Sequence, residues 1–364
     1  MRISLWDARD PETASEWRSR CASWPAREVF ADPAYVRLFA TERDQPLAAF
    51  AETDSGFILY PFVLRPIDAP HLCGQSRPSF DITSAYGYAG AFTSGATDVD
   101  AKSFWSSFDE VCRERHVTAE FTRLSLFESE RLAPPAPVTQ KLTNVVVDLR
   151  MPEDQLWREF ESKVRRNVNK ATRSGVQIEV DEDGRRLTDF VRIYTDTMRR
   201  RQAAENYYFP RSFFEAIVRD LPGQFTFFHA LHGGRVISTE LVLVSGRSLY
   251  FYLGGTDEAF FDLRPNELLK FEVMRWGRAR GKERYVLGGG YAPDDGIFRY
   301  KKAFAPRGLL PYHVASRVLD AERYESLVRA HLAEGRRRDE AWQPDDSFFP
   351  TYRRPLPSIG PDGD

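Results

Sequence analysis

Two of the chain's eight lysines stand side by side in the segment Gly296-Ile297-Phe298-Arg299-Tyr300-Lys301-Lys302-Ala303-Phe304. A lysine among aromatics in a cleft offers a fixed cation to a developing oxyanion or to a phosphate. Read as an extended chain, the segment turns Phe298, Tyr300 and Lys302 to one face and Arg299, Lys301 and Ala303 to the other. The same pattern also describes an amphipathic edge strand guarded by lysine. A second group of cations, Lys163, Arg165, Arg166, Lys170 and Arg173, falls on one predicted helix. Positions 163, 166, 170 and 173 step by three or four and so share a face. That face reads either as an electrostatic strip for a phosphate backbone or as a solvated surface whose cations complement the helix dipole. Gly288-Gly289-Gly290-Tyr291 follows a predicted strand, and a glycine turn can present backbone N–H groups to an anion.

Other chemistries lack their residues. His229 and His232 sit three apart near a turn, on opposite faces of a strand, which suits no shared metal. Neither GxxxxGK[ST] nor GxGxxG occurs, and no serine or cysteine stands in a nucleophile elbow. Cys21, Cys73 and Cys112 are widely spaced and form neither a zinc pattern nor a disulfide framework. With 51 Lys+Arg against 53 Asp+Glu in 364 residues, the net charge of -2 excludes a basic protein that coats long nucleic acid. It leaves room for a local basic patch. Because 43 of those cations are arginine, as GC-rich coding favours, arginine clusters carry less weight than the few lysines.

These residues need a scaffold. Asp10-Pro11 and Asp32-Pro33 each predict a helix start. Apolar runs at 47–52 and 56–64 around Asp54-Ser55-Gly56 predict a hairpin. Then come an aromatic, glycine-rich stretch at 86–92, a helix over 98–115, and strands at 121–127 and 143–149. A helix over 153–174 stops at Gly175, with further helices at 185–201 and 211–220. A second hairpin turns at His232-Gly233-Gly234. An aromatic strand over 248–255, a helix over 265–280 and a strand over 284–290 complete the second half. Both halves run hairpin, aromatic strand with glycines, helix, strand, as a duplicated α/β module would, with the join near 145–152. Residues 335–364 read as an extended, proline-rich tail pinned by Trp342, Phe348, Phe349 and Tyr352. The first residues lack the apolar core of a signal peptide, and no apolar run is long enough to span a membrane. A cytoplasmic location is expected.

The order Trp157…Phe160…Lys163, Arg165, Val168, Lys170, Ala171, Gly175 is followed by HGGRVIS, LYFYLGG, ARGKERYVLGG and GIFRYKKAF. Together with DITSAYGYAGAF, it resembles the Fem family of aminoacyl-tRNA-dependent transferases, which build peptidoglycan interpeptide bridges. The likeness covers roughly residues 30–335. It implies an α/β (α+β) fold of two tandem GNAT-like domains facing a central channel, without the coiled-coil arm that some members carry. The first domain would comprise 1–148 plus about 312–334, the second 149–311, and the tail 335–364.

The resemblance further implies transfer of an amino acid from tRNA to an amine, on a peptidoglycan precursor or a small peptide natural product. The ester is already activated, so no cofactor is expected beyond aminoacyl-tRNA as co-substrate. It places the family's lysine on Lys301, substrate contacts on Tyr86, Tyr88, Tyr252, Arg37 and Arg211, and tRNA contacts on Lys163, Arg166, Lys170 and Arg173. A monomer is favoured. Arg211 departs from the family's Arg-Pro-aromatic pattern, since Phe209 holds the arginine's place. This weakens the case for a UDP-linked acceptor. The competing reading is an acyl-CoA-dependent N-acyltransferase on the same fold. Such enzymes hold pyrophosphate in a (Q/R)xxGx(G/A) loop at a helix start. Here the corresponding GGTDEAFFDLRPNELLK has Arg264 but lacks the glycines that follow.

Overall fold

In the computed structural model, which describes residues 1–72, 78–343 and 348–358, the chain divides into two compact units. One comprises residues 1–20, 30–140 and the described part of 313–364. The other comprises 21–29 and 141–312. Cys73 and the tail residues 344–347 and 359–364 lie outside the described residues.

The chain opens with β1 (Ser4–Asp7), α1 (Pro11–Ser23) and α2 (Pro33–Arg37), then β2 (Gln45–Thr53), β3 (Gly56–Pro66), β4 (Phe80–Thr83), β5 (Phe92–Ser94), α3 (Asp98–Glu114) and β6 (Val117–Arg123). The expected caps form: Asp10 accepts from Thr13 N at 2.8 Å and Asp32 from Ala34 N at 2.8 Å. Asp54-Ser55 closes the β2–β3 hairpin, with Thr53 opposite Gly56. A Cβ at Gly56 would meet the Ser94 carbonyl oxygen at 1.7 Å, so only glycine fits where β5 presses on the hairpin. Helix α3 starts with a reciprocal Thr97–Asp100 capping box and buries Phe104, Trp105, Phe108 and Cys112 against the sheet.

The second unit is built from β7 (Val138–Asp148), α4 (Glu153–Glu159), α5 (Ser162–Arg173), β8 (Gln177–Asp181), α6 (Leu187–Arg201), α7 (Arg211–Asp220), β9 (Phe225–His232), β10 (Arg235–Val244), β11 (Ser248–Thr256), α8 (Pro265–Ala279), β12 (Arg284–Gly288) and α9 (Gly296–Lys302). Gly233 (φ 57°) and Gly234 (φ 79°) make the β9–β10 turn, the left-handed pair that a two-residue hairpin demands.

The helix expected over 153–174 is two helices. Phe160 and Glu161 are extended between α4 and α5. Glu161 N donates to Ala303 O at 2.9 Å, and Phe160 is buried among Trp157, Phe271 and Phe304. Burying such a side chain stabilises by roughly 1.5–3 kcal/mol, enough to break a helix that contains neither glycine nor proline at that point.

The chain returns to the first unit with β13 (Leu309–Val318) and α10 (Ala321–Arg338). The two sheets repeat one pattern. In the first, the order is β1-β2-β3-β4-β6-β13, parallel only between β4 and β6. In the second it is β8-β9-β10-β11-β12-β7, parallel only between β11 and β12. The sixth strand is exchanged: β7, which follows β6 in sequence, pairs with β12, and β13, which follows β12, pairs with β6. In the tail, Phe349 stacks on Tyr324 at 5.7 Å between centroids, Tyr352 is buried, Trp342 packs on His331, and Phe348 is partly exposed. Among the described residues, no helix is long and apolar enough to cross a membrane, and no His/Cys/Asp/Glu group could hold a metal.

Candidate active site

Strands β11 and β12 are paired only where Ser248–Tyr250 meets Arg284–Val286. Beyond that point β11 bulges. Leu241 opposes Leu253 and Val242 opposes Phe251, leaving Tyr252 as the extra residue. β12 meanwhile gives way to the glycine turn, with Gly288 at φ 79°. The side chain of Lys301 joins the two diverging strands. Its Nζ donates to the Gly289 carbonyl at 2.7 Å and lies 5.3 Å from the centre of the Phe251 ring.

Lys301 reaches this point from a helix, and the extended reading of residues 296–302 is corrected. Asp295 caps α9 by accepting from Phe298 N at 2.7 Å. Its other oxygen accepts from Tyr291 N at 2.6 Å and Ala292 N at 3.1 Å. On a helix, Lys301 and Lys302 are about 100° apart rather than opposite. Lys301 turns inward and Lys302 stays half-buried. A Cβ at Gly290 would lie 2.3 Å from Asp295 Oδ1, so this turn and this cap require each other. Backbone N–H groups, that of Phe298 foremost, hold the Asp295 carboxyl below its ordinary 3.8. Its contribution is therefore complete above that value and is lost as acid protonates it. Asp295→Ala is expected to cost about 1 kcal/mol, read from urea unfolding of the second unit at neutral pH, and the difference from wild type should shrink under acid.

Behind Lys301 lies a buried ionic group. Glu240 accepts from Lys270 Nζ at 2.8 Å and from the Tyr285 hydroxyl, and Lys270 Nζ sits 3.9 Å from the centre of the Phe251 ring. All three polar residues are buried. Burial pushes the Glu240 carboxyl up, against the pull of Lys270 and Lys301. Burial first, and the neighbouring Lys270 ammonium second, push Lys301 down to about 7. Lys301 thus changes charge near neutral pH.

A cavity of about 730 Å³ opens on the other side of α9, against the first turns of α5 and α8. Its cations are Lys163, Arg201, Arg264, Arg299 and Lys302, facing three carboxylates, Glu161, Glu267 and Asp294. Arg299 bonds to Asp294 and Glu267 to Asn167. Among the described residues, no carboxylate lies within ion-pair distance of Lys163, Arg201, Arg264 or Lys302. An anion with several charges would satisfy them.

The sequence-derived residues fall in several places. Lys163 lines the cavity. Arg166, Lys170 and Arg173 continue from it along the exposed face of α5, opposite the buried Val164, Val168 and Ala171. Lys301 reaches the diverging strands from α9, and Tyr252 is the bulged residue of β11. Arg211 is off the cavity wall, on α7, bonded to Glu215 at 2.7 Å and to Thr188 at 3.2 Å. In the first unit, exposed Arg37 ends α2, and Tyr86 and Tyr88 surround the same aromatic corner. Tyr86 O accepts from Tyr35 at 2.7 Å, and Tyr88 meets Phe30 edge-on. His229 is fully buried, bonded to Thr239 at 2.9 Å. Sequence reasoning missed Arg201 and the Glu240–Lys270 pair, and gave Lys302 no role of its own. A glutamate inside the apolar run VISTELVLV was the available signal for the pair.

Residues 158–302 match the family described as Acetyltransferase (GNAT) domain. No curated protein sequence matches the chain. Solved structures of similar fold include FemX, 14% identical with a TM-score of 0.63 over 89% of this chain and 99% of that one. A conserved protein of unknown function from Bacteroides thetaiotaomicron VPI-5482 is 11% identical with a TM-score of 0.55, over 86% and 99% of the two chains. L-PGS from Bacillus licheniformis is 11% identical with a TM-score of 0.51, over 90% and 98%. The chain carries a Fem-like, GNAT-type acyltransferase fold.

Proposed function

We propose, from a chain that shares the fold of FemX and carries a GNAT domain in its second unit, that it transfers an amino acid from aminoacyl-tRNA to an amine of a peptidoglycan precursor or small peptide. The observation that carries the reading is the cavity of about 730 Å³ lined by five cations, four of them without a carboxylate partner among the described residues, next to the diverging β11 and β12. Such a site suits a donor bearing several phosphates.

In the reaction, the acceptor nitrogen attacks the ester carbonyl carbon and a tetrahedral oxyanion forms. The bond from that carbon to the ribose oxygen then breaks. The nitrogen gives up a proton and the departing ribose oxygen takes one. No cofactor is needed, because the ester is already activated. The protein aligns the two reactants and stabilises the negative charge. Lys301 is the cation assigned to that charge, or to the terminal phosphate.

An acyl-CoA donor is the second reading, favoured by the GNAT match. Against it, α8 begins at Pro265, which has no N–H to offer a pyrophosphate, behind Arg264 at φ 58°. Incubating the purified chain with a cell extract and either labelled aminoacyl-tRNAs or labelled acyl-CoAs tests the choice. Discharge of a charged tRNA supports the first reading, and turnover of acyl-CoA alone overturns it.

The α5 strip extends this reading toward the acceptor arm. Reversing Lys170 and Arg173 together to Glu should raise KM for aminoacyl-tRNA severalfold and flatten its salt dependence, with the fold intact because both are exposed. A solvated face would instead give at most about 0.5 kcal/mol of stability change and no kinetic effect. KM at two salt concentrations, for wild type and double variant, decides between them.

A further inference from the structure

Three exposed aromatic side chains belong to the unit that holds this cavity, and one of them lines it. Tyr291 is 63% exposed, and Tyr208 and Phe261 are 41% exposed. Phe261 lines the cavity itself, and the Arg200 guanidinium covers one of its faces at 4.9 Å. Tyr291 meets Tyr207 edge-on at 5.6 Å, and the Arg201 charge acts on its phenol. The Tyr194 hydroxyl donates to the Tyr207 carbonyl, and the phenols of Tyr207, Tyr208 and Tyr291 all act on that of Tyr194, so these tyrosines lie near one another.

Exposing aromatic surface is unfavourable, and a patch held among arginines does not suit a purely apolar partner. Flat rings interleaved with cations suit a ligand whose own flat, unstacked rings alternate with negative charges. A duplex hides its bases, whereas a single strand presents them. We propose that this rim is a stacking platform for the unpaired 3′ nucleotides of an RNA donor. Phe261 and Tyr291 would carry bases, and Arg201, Arg264 and Lys302 would hold the phosphates between them. The proposal rests on the aminoacyl-tRNA reading and adds how the donor's end is held.

The test is fluorescence anisotropy of the full chain with a labelled RNA hairpin that ends in an unpaired CCA, against the same hairpin with a blunt end. The overhang should bind at least tenfold more tightly. Phe261→Ala and Tyr291→Ala should each weaken its binding about tenfold, within the range of one lost base stack, without changing the salt slope. Phe261→Tyr and Tyr291→Phe keep the ring face and should restore the affinity. Arg264→Ala and Lys302→Ala should weaken binding and lower the salt slope by about 0.7 per lost single-strand phosphate contact. If the alanine variants at 261 and 291 bind as wild type while those at 264 and 302 do not, the platform is refuted and the tRNA donor stands. Equal binding of blunt and overhanging hairpins also refutes the platform. If neither RNA binds, platform and donor reading fall together.

Discussion

Lys301→Met is expected to slow amide formation by about a hundredfold or more, the scale of losing one donor to an oxyanion. The pH dependence makes the test specific. Lys301 is pushed down to about 7, so its positive charge is present below that pH and absent above it. Acting as a cation, it should give kcat/KM, which reports the free enzyme, a limb that falls as pH rises through about 7. This limb should be missing from the residual activity of the variant. A rate that climbs through the same range would assign Lys301 the role of a base, and an unchanged rate would remove it from the reaction. Lys302 is not a neutral control for this experiment. One position further along α9, it lines the cavity, and Lys302→Met should raise KM for the donor more than it lowers kcat.

Lys270→Met should strongly destabilise the second unit. It leaves Glu240 buried with only the Tyr285 hydroxyl, and breaking one side of a buried pair costs about 3–5 kcal/mol. Urea unfolding of the second unit reads that loss. Lys270→Met combined with Glu240→Gln removes both charges and should recover most of it. The single variant also takes away the ammonium that helps to depress Lys301, so the falling limb of kcat/KM should move to higher pH. A limb that stays in place would show that burial alone sets the charge on Lys301. The shift carries a stability signature as well. Between about 7 and its ordinary 10.5, Lys301 is neutral in the folded chain and protonated in the unfolded one. Stability should therefore rise with pH across that window, and Lys301→Met should abolish the rise.

The legible features were the ones written in local chemistry. Asp10, Asp32 and the Gly233-Gly234 turn each act within a few residues of themselves, and each forms as its neighbours dictate. The burial of Val164, Val168 and Ala171, with the cations outside, was readable from helical spacing. The break at Phe160–Glu161 was not, because the carbonyl that fixes it belongs to Ala303, far along the chain. The error over residues 296–302 came from weighing alternation above the cap: Asp295, three residues before Phe298, was the local sign of a helix. The cavity was illegible for a different reason. Its cations come from α5, the end of α6, the start of α8 and α9, and no spacing rule joins Lys163, Arg201, Arg264 and Lys302.

The repeated sheet pattern hides a difference in use. In the first unit, Tyr60 on β3 bonds Glu120 on β6; in the second, Glu240 on β10 is bonded by Tyr285 on β12. The same two side-chain types meet across the same pair of strands with their places swapped, and each glutamate has gained its own cation, Arg317 or Lys270. In the first unit the parallel strands stay bridged past their ends, Ala89 to Leu124. The cavity there, beside Tyr60 and Glu120, holds only about 10 Å³. The second unit alone has parted its strands and filled the gap with a lysine.

The exchanged sixth strands set a timetable for synthesis. As the chain leaves the ribosome, β1 to β6 emerge early, but the strand that completes their sheet arrives with residues 314–318, about 190 residues later. At about 5–20 residues per second, β6 waits roughly 10–40 s with an open edge. The strand that emerges next, β7, belongs to a sheet whose other members have not yet been made. Such an edge invites pairing with another nascent copy. Production of the first half alone should therefore yield a protein that associates through β6, whereas supplying residues 309–338 in trans as a separate peptide should keep it dispersed.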